Sequence, residues 1–365
     1  MTHPHTHAPV RRLGERAPFG TTPSGETVEQ IEIANANGVR LAVLSYGGVI
    51  RAIHVPDRDG NFTDVALGYD TLEGYVGDTA YLGALVGRVA NRIAAGRMSV
   101  DGRELTLARN ADGNHLHGGM RGFDKAVWSM TSFERDGAAG VVLSHVSPDG
   151  DEGYPGTLRI EVTYTLDDSD RLRVDYLAST DAVTPVNLTQ HSYFNLHGAD
   201  VGDVLDHELT LVASRFTPVN EALIPTGELR AVRGTPFDFT APHAIGERIG
   251  DADEQLRLAR GYDHNFAIDR ASDGDLALAA RLTEPVSGRG VDVYTTEPGI
   301  QFYSGNFLDG RAIGKGGHPY RFRTGLALET QHFPDAPNHP SFPSIVLRPG
   351  EEYRTSTVYH FVVRT

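Results

Sequence analysis

Along most of the chain, apolar and polar residues alternate with a period of two. In "LRIEVTYTLDDSDRLRVDYLA", Leu158, Ile160, Val162 and Tyr164 alternate with Arg159, Glu161 and Thr163. After the polar turn "DDSD", Leu172, Val174 and Tyr176 alternate with Arg173 and Asp175. Successive strand side chains point to opposite faces, so the stretch predicts a hairpin with one buried face. Comparable runs recur at "QIEIANANGVRLAVLSYGGVIRAIHV", "HELTLVASRF", "GVDVYTT", "IQFYSGN", "FPSIVLRPGEEY" and "TVYHFVV". The 41 glycines and 20 prolines supply the turns that so many strands require. Helical candidates are few. "TLEGYVG" predicts one short turn of helix. "YLGALVGRVANRIAAG" fits either period, and as a helix it would carry Arg88 and Arg92 on one exposed stripe. With no repeat and no low-complexity divider, the pattern predicts an all-β fold. It is a large antiparallel β-sandwich with few short helices, spanning residues 11–365 as a single domain behind a flexible leader at 1–10.

Composition narrows the function. Lys and Arg number 33 against 48 Asp and Glu, a formal net charge of −15. Nucleic acid, an anionic membrane surface or a multiply phosphorylated substrate would each call for basic patches, so none is the expected partner. Cysteine is absent, which excludes disulfides, thiolate nucleophiles and sulfur-ligated metals. The first residues lack a signal-peptide core and no stretch is long and apolar enough to span a bilayer, so a cytoplasmic location is expected. His3, His5 and His7 fall in the leader. The tripeptides starting at Asn61 and Asn187 match glycosylation acceptors and, without an export signal, are expected to be chance matches.

Ionisable groups concentrate in five turn-rich clusters: "GRVANRI" (87–93), "NHLHGG" (114–119), "TQHSYFNLHG" (189–198), "GYDHNF" (261–266) and "LALETQHFPDAPNHP" (326–340). If 115–119 is extended, His115 and His117 project from one face and form a chelating arm, or one handles a proton while the other is structural. Taken singly, each cluster also has a bland explanation. A histidine beside an aromatic is usually a hydrogen-bonded core residue, Asp263 could organise a turn, and Glu329 could face solvent from an edge strand.

Together, in this order, "GRVANRI", "HLHGG.RGFDK..W", "HSYFNL", "YDHNF" and "LETQ..PDAPN" resemble the galactose mutarotase, or aldose 1-epimerase, family from about Gly47 to the last strand. The resemblance implies a galactose mutarotase-like supersandwich with a sugar cleft across one sheet. It implies interconversion of the α and β anomers of free aldoses, with no cofactor and no metal. By position in the motifs, Glu329 resembles the family's catalytic base, His191 its catalytic acid and His117 a second active-site histidine. Arg92 and Asp263 resemble residues gripping sugar hydroxyls, and Asn91 and Gln301 further cleft-lining positions. The implied partner is a small free aldose, met by a monomer or homodimer.

The chemistry suits these residue types. Anomerisation removes a proton from the C1 hydroxyl, opens C1–O5, rotates about C1–C2 and closes on the other carbonyl face, which needs one base and one acid. An apolar strand around Glu329 should raise its basicity, and neighbouring carboxylates should keep His191 protonated. His117 is expected to donate to the oxygen that develops charge. His115 is expected to be structural, with Gly118 and Gly119 letting the chain turn close to the ligand. Three rivals share these residues. They are a metal site of His115, His117, His191 and Glu329, a glycoside hydrolase using Glu329 and Asp263, and a non-catalytic sugar-binding module, although Trp128 is the sole tryptophan.

Overall fold

The computed structural model describes residues 12–364, so the leader and its histidines lie outside it. The predicted hairpin forms as Leu158–Asp167 and Arg171–Thr180, paired antiparallel in the register Leu158↔Thr180 to Leu166↔Leu172. Its inward side chains, Leu158, Ile160, Val162, Tyr164, Leu172, Val174 and Tyr176, are buried. Each such apolar side chain contributes roughly 1.5–3 kcal/mol on leaving water. The hairpin sits within a nine-stranded antiparallel sheet running Ser129–Arg135, Ala138–Ser147, Leu158–Asp167, Arg171–Thr180, Tyr353–Val363, Arg289–Thr295, Ala277–Thr283, Glu208–Leu211 and His243–Ala244.

Against it packs a six-stranded antiparallel sheet in the order Tyr193–Phe194, Leu326–Gln331, Gly299–Tyr303, Asp263–Ala267, Arg215–Phe216 and Arg230–Ala231. One face of this sheet, with Phe194, Leu326, Leu328, Ile300, Phe302, Phe266 and Phe216, enters the main core. That core is continuous from Ile31 to Phe361. A five-stranded sheet, Ala17–Thr21 to Phe62–Asp64, adds Ile31, Val43 and Ile53 to the same core.

Helix is scarce, as the alternation predicts. Among the described residues the α-helices are Leu72–Gly77, which falls in "TLEGYVG", and Glu254–Ala259. The second was not foreseen; Asp253 caps it by accepting from the Gln255 and Leu256 amides. No described helix is long and apolar enough to cross a membrane. The ambiguous stretch 81–96 is not α-helical: Leu85–Val86 and Arg92–Ile93 are short strands. Arg88 is therefore no exposed stripe residue. It is 2% exposed, bonded to Ser147 Oγ and to the carbonyls of Ser147, Pro148 and Pro155. Asn187 is also buried, its amide donating to the His332 carbonyl, so it offers no glycosylation site in the folded chain.

Candidate active site

The strand Leu326–Gln331 is buried on both faces. Period two sends Leu326 and Leu328 into the core and leaves Glu329 on the opposite face. In register, Glu329 faces Gln301, Gln301 faces Asn265, and Tyr303 faces both Ala327 and Asp263. One sheet face thus aligns Tyr193, Tyr303, Asp263, Gln301 and Glu329 from four strands.

The other walls come from turns. Pairing of Thr189–Gln190 with Leu85–Val86, with the Gly83 amide donating to the His191 carbonyl at 2.9 Å, brings His191 beside the 79–81 loop. Asp78 shapes that loop, accepting from the Tyr69 hydroxyl and the Ala80 and Leu82 amides. The result is a cleft of about 310 Å³ lined by His117, His191, Glu329, Arg92, Asp263 and Asn91, with Thr79, Tyr81, Tyr303 and Phe307 among the remaining walls. Six of the seven residues proposed from sequence meet there. Gln301, expected to line the cleft, is not among its walls; buried on the same sheet face, it donates from Nε2 to Asp263 Oδ1 at 2.6 Å.

His191 Nε2 and Glu329 Oε2 lie 3.5 Å apart, both side chains nearly inaccessible to water. Burial pushes the Glu329 carboxyl up to about 8; the Asp263 carboxylate adds to the rise and the Arg92 guanidinium opposes it. Burial pushes His191 down to about 4. The expectation that carboxylates keep His191 protonated is therefore corrected for the ligand-free cleft, where desolvation outweighs the attraction. Between those two values the pair holds one proton, resident on Glu329.

Arg92 Nη2 reaches Asp263 Oδ2 at 3.4 Å, so Asp263 is gripped on both oxygens. This clamp leaves the remaining guanidinium donors for a ligand. Asn91 turns its own Oδ1 to the Arg92 amide at 2.9 Å, and its backbone amide donates to His117 Nδ1 at 3.2 Å. With Nδ1 accepting and burial holding the ring neutral, the His117 proton sits on Nε2, available for donation.

His115 and His117 do not share a face. Only His115–Leu116 is extended; His117 has φ +49°, which swings its ring into the cleft. His115 is turned inward, with Nδ1 on the Ala108 carbonyl at 2.7 Å and Nε2 on the Tyr154 hydroxyl at 2.6 Å. Both its nitrogens are engaged, so the four-ligand metal site read from sequence does not assemble. The donor atoms of His117, His191 and Glu329 do lie within 4.8 Å of one another. With its proton on Nε2, His117 presents a donor rather than a lone pair to the other two. A second cluster, His197, Asp206 and His207, fails on the same ground. His207 Nε2 accepts from the Leu196 amide, so its Nδ1 carries the proton toward Asp206.

The glycines after His117 serve a different purpose from the expected one. At Gly118, φ +89°, a Cβ would lie 1.7 Å from the Gly87 carbonyl oxygen, and at Gly119 it would strike Glu152. They let the turn approach protein, not ligand. His264 of "YDHNF" packs edge-on against the stacked rings of Phe216 and Phe237 in the core, and Trp128 is buried with Nε1 on the Phe123 carbonyl. Sequence reasoning missed Tyr81, whose ring lies 4.6 Å from His117 and 6.1 Å from His191. It also left Tyr193, stacked on His191 at 5.0 Å, without a role. Only the aromatic in "YLGAL", just before "GRVANRI", hinted at the first.

Fold and cleft together define a β-supersandwich whose cleft brings two histidines and a buried carboxyl beside an Arg–Asp pair. The aldose 1-epimerase family model matches residues 29–360. Galactose mutarotases of Rattus norvegicus and Homo sapiens are each 48% identical over 349 residues, covering 95% of this chain and 98% of theirs. Aldose 1-epimerase of Escherichia coli (strain K12) is 40% identical over 342 residues, 93% of this chain and 97% of its own. Galactose 1-epimerase from Lactobacillus acidophilus superposes with a TM-score of 0.84 at 28% identity, over 96% of this chain and 99% of that one. An aldose epimerase homologue from C. elegans gives 0.84 at 34%, over 92% and 99%. The chain belongs to the aldose 1-epimerase family.

Proposed function

We propose that the protein interconverts the α and β anomers of free aldohexoses such as galactose and glucose, with Glu329 as base, His191 as acid and His117 as hydrogen-bond donor. The observation that carries the reading is the buried carboxyl–imidazole pair at 3.5 Å in one cleft with an Arg–Asp clamp.

The working form has the proton moved from Glu329 to His191, an internal transfer that takes nothing from solvent. Glu329 then removes the proton from O1. The O–H electrons form the C1=O bond while C1–O5 breaks, and His191 protonates O5. His117 Nε2–H stabilises the charge developing on the C1 or O5 oxygen. After rotation about C1–C2, O5 attacks the other face, His191 recovers its proton and Glu329 returns one to O1. Arg92 and Asp263 hold hydroxyls remote from C1 throughout, leaving it free to turn. Every proton lent is returned, so no net acid, base or oxidant is consumed.

In this reading residues 11–365 act as one cytoplasmic domain, monomer or homodimer, meeting a small sugar rather than nucleic acid or membrane. Asp263, held on both oxygens, is poorly placed to serve a glycoside hydrolase. Polarimetry on fresh α-galactose and α-glucose, repeated in EDTA, tests the proposal. Catalysed mutarotation that survives the chelator supports it. Sugar binding without rate enhancement would leave only a binding module, and loss of activity in EDTA would point to metal chemistry.

A further inference from the structure

Five of the twelve non-glycine residues with positive φ among the described residues line this one cleft: Tyr81, Asn91, Asp112, His117 and Leu223. A non-glycine residue in the left-handed region costs on the order of 1 kcal/mol and persists where its surroundings over-determine it. For His117 the determinant is a side chain outside the cleft wall and outside every motif. Asn110 Nδ2 donates to the Leu116 carbonyl at 2.9 Å and to the Gly119 carbonyl at 2.9 Å, and its Oδ1 accepts from the Leu116 amide at 2.8 Å. These three bonds bracket His117 on both sides. The same amide meets the Tyr81 hydroxyl at 3.5 Å, and the Tyr81 ring rests against the His117 imidazole. From the opposite side, His117 and Asn91 exchange two bonds: the His117 amide to the Asn91 carbonyl at 3.0 Å, and the Asn91 amide to His117 Nδ1.

We infer that Asn110 is a positioning residue for the anomerisation. It fixes the Leu116–Gly119 turn so that His117 keeps Nδ1 on the Asn91 amide and presents Nε2–H to the sugar, with Tyr81 as the wall behind the ring. The inference rests on the reading of His117 as a donor. Its chemistry is specific to a carboxamide, because the turn needs two donated bonds and one accepted bond from a single side chain. Aspartate at 110 could accept from Leu116 but would set a carboxylate against two carbonyls.

Displacing a group that acts only on the developing charge lowers kcat, whereas the Arg92–Asp263 clamp that governs KM is untouched. Asn110→Ala is expected to lower kcat roughly 10–100-fold, in keeping with the cost of about an ångström of misplacement. KM should stay within about threefold, and Asn110→Asp should not rescue. In 15N-histidine-labelled protein, the His117 ring should change from the Nε2–H pattern to an averaged one. Tyr81→Ala, which removes the wall behind the ring, should lower kcat about tenfold and shift the same His117 tautomer signal, which tests the positioning of His117 even if Asn110→Ala does not fold. Wild-type kcat per folded molecule in Asn110→Ala, or a lowered kcat with the His117 tautomer unchanged, overturns the positioning role. Wild-type kcat in His117→Asn removes instead the donor reading on which it stands.

Discussion

The two faces of the six-stranded sheet are buried alike and built oppositely. Leu328 is 1% exposed and Glu329, its neighbour on the same strand, 2%. On the core face, Leu328, Ile300, Phe302 and Phe266 fill space and contribute by leaving water. On the cleft face, Glu329 Oε2, Gln301 Oε1 and both amide atoms of Asn265 and Gln331 are buried without a hydrogen-bond partner, and Glu329 Oε2 has only the His191 imidazole at 3.5 Å. A buried polar group left unpaired costs about 1–3 kcal/mol, so this face is a liability that the core face must outweigh. Burial therefore means two different things on one strand: adhesion on one side, and on the other a medium of low polarity that redistributes protons.

The comparison turns on substitutions one residue apart. Glu329→Gln, which keeps shape and removes the base, should lower the polarimetric rate about 10³-fold or more while the protein stays folded. Wild-type turnover would sink the base assignment. The converse change, Leu328→Ala, should destabilise by about 2–5 kcal/mol and leave KM of the folded fraction close to wild type. The pair's shared proton predicts a bell-shaped kcat/KM with limbs near 4 and 8. Below the lower limb both groups are protonated and no base remains; above the upper limb both are deprotonated and no acid remains. Asp263→Asn should move the upper limb downward, because a charge that raises Glu329 is gone and Arg92 is freed to favour the carboxylate.

Stability should follow the same group. The Glu329 carboxyl titrates higher folded than its ordinary 4.5, so the stability it confers is full below that value. It falls as pH rises and is lost once pH passes about 8. The melting temperature of Glu329→Gln should accordingly gain on wild type between pH 5 and 9; a constant difference would contradict the buried charge. The smallest effect is expected at His115, bonded to Ala108 and Tyr154 and facing no ligand. His115→Ala should cost stability but retain most activity, whereas His117→Ala loses it. Equal losses in kcat would mean that the two rings are not separated in function as they are in space.

Much of the site was legible because its residues sit in compact motifs. Glu329, His191, Asp263 and Arg92 each lie within a few residues of a turn signal, and the apolar run in "LALETQ" already placed Glu329 in a strand. The conditional geometry that put His115 and His117 on one face fails because alternation assumes extended backbone and a single left-handed residue breaks it, although the sequence had already singled out His117 for the cleft. Tyr81 and Asn110 were invisible for a related reason. Each acts through a contact between separate turns, and neither turn carries a periodic pattern. Arg88 misled because four-residue spacing imitates a helix wherever the strands are only two residues long.

Local alternation and residue chemistry, then, settled which faces are apolar, which groups can trade protons and which family the chain resembles, since these follow from each residue and its near neighbours. Which His117 nitrogen accepts from the backbone, and that burial favours the proton on Glu329 rather than His191, were decided only by folding. Those properties depend on how far water is excluded and on which backbone amide arrives from a distant turn, and neither is a property of any short stretch of chain.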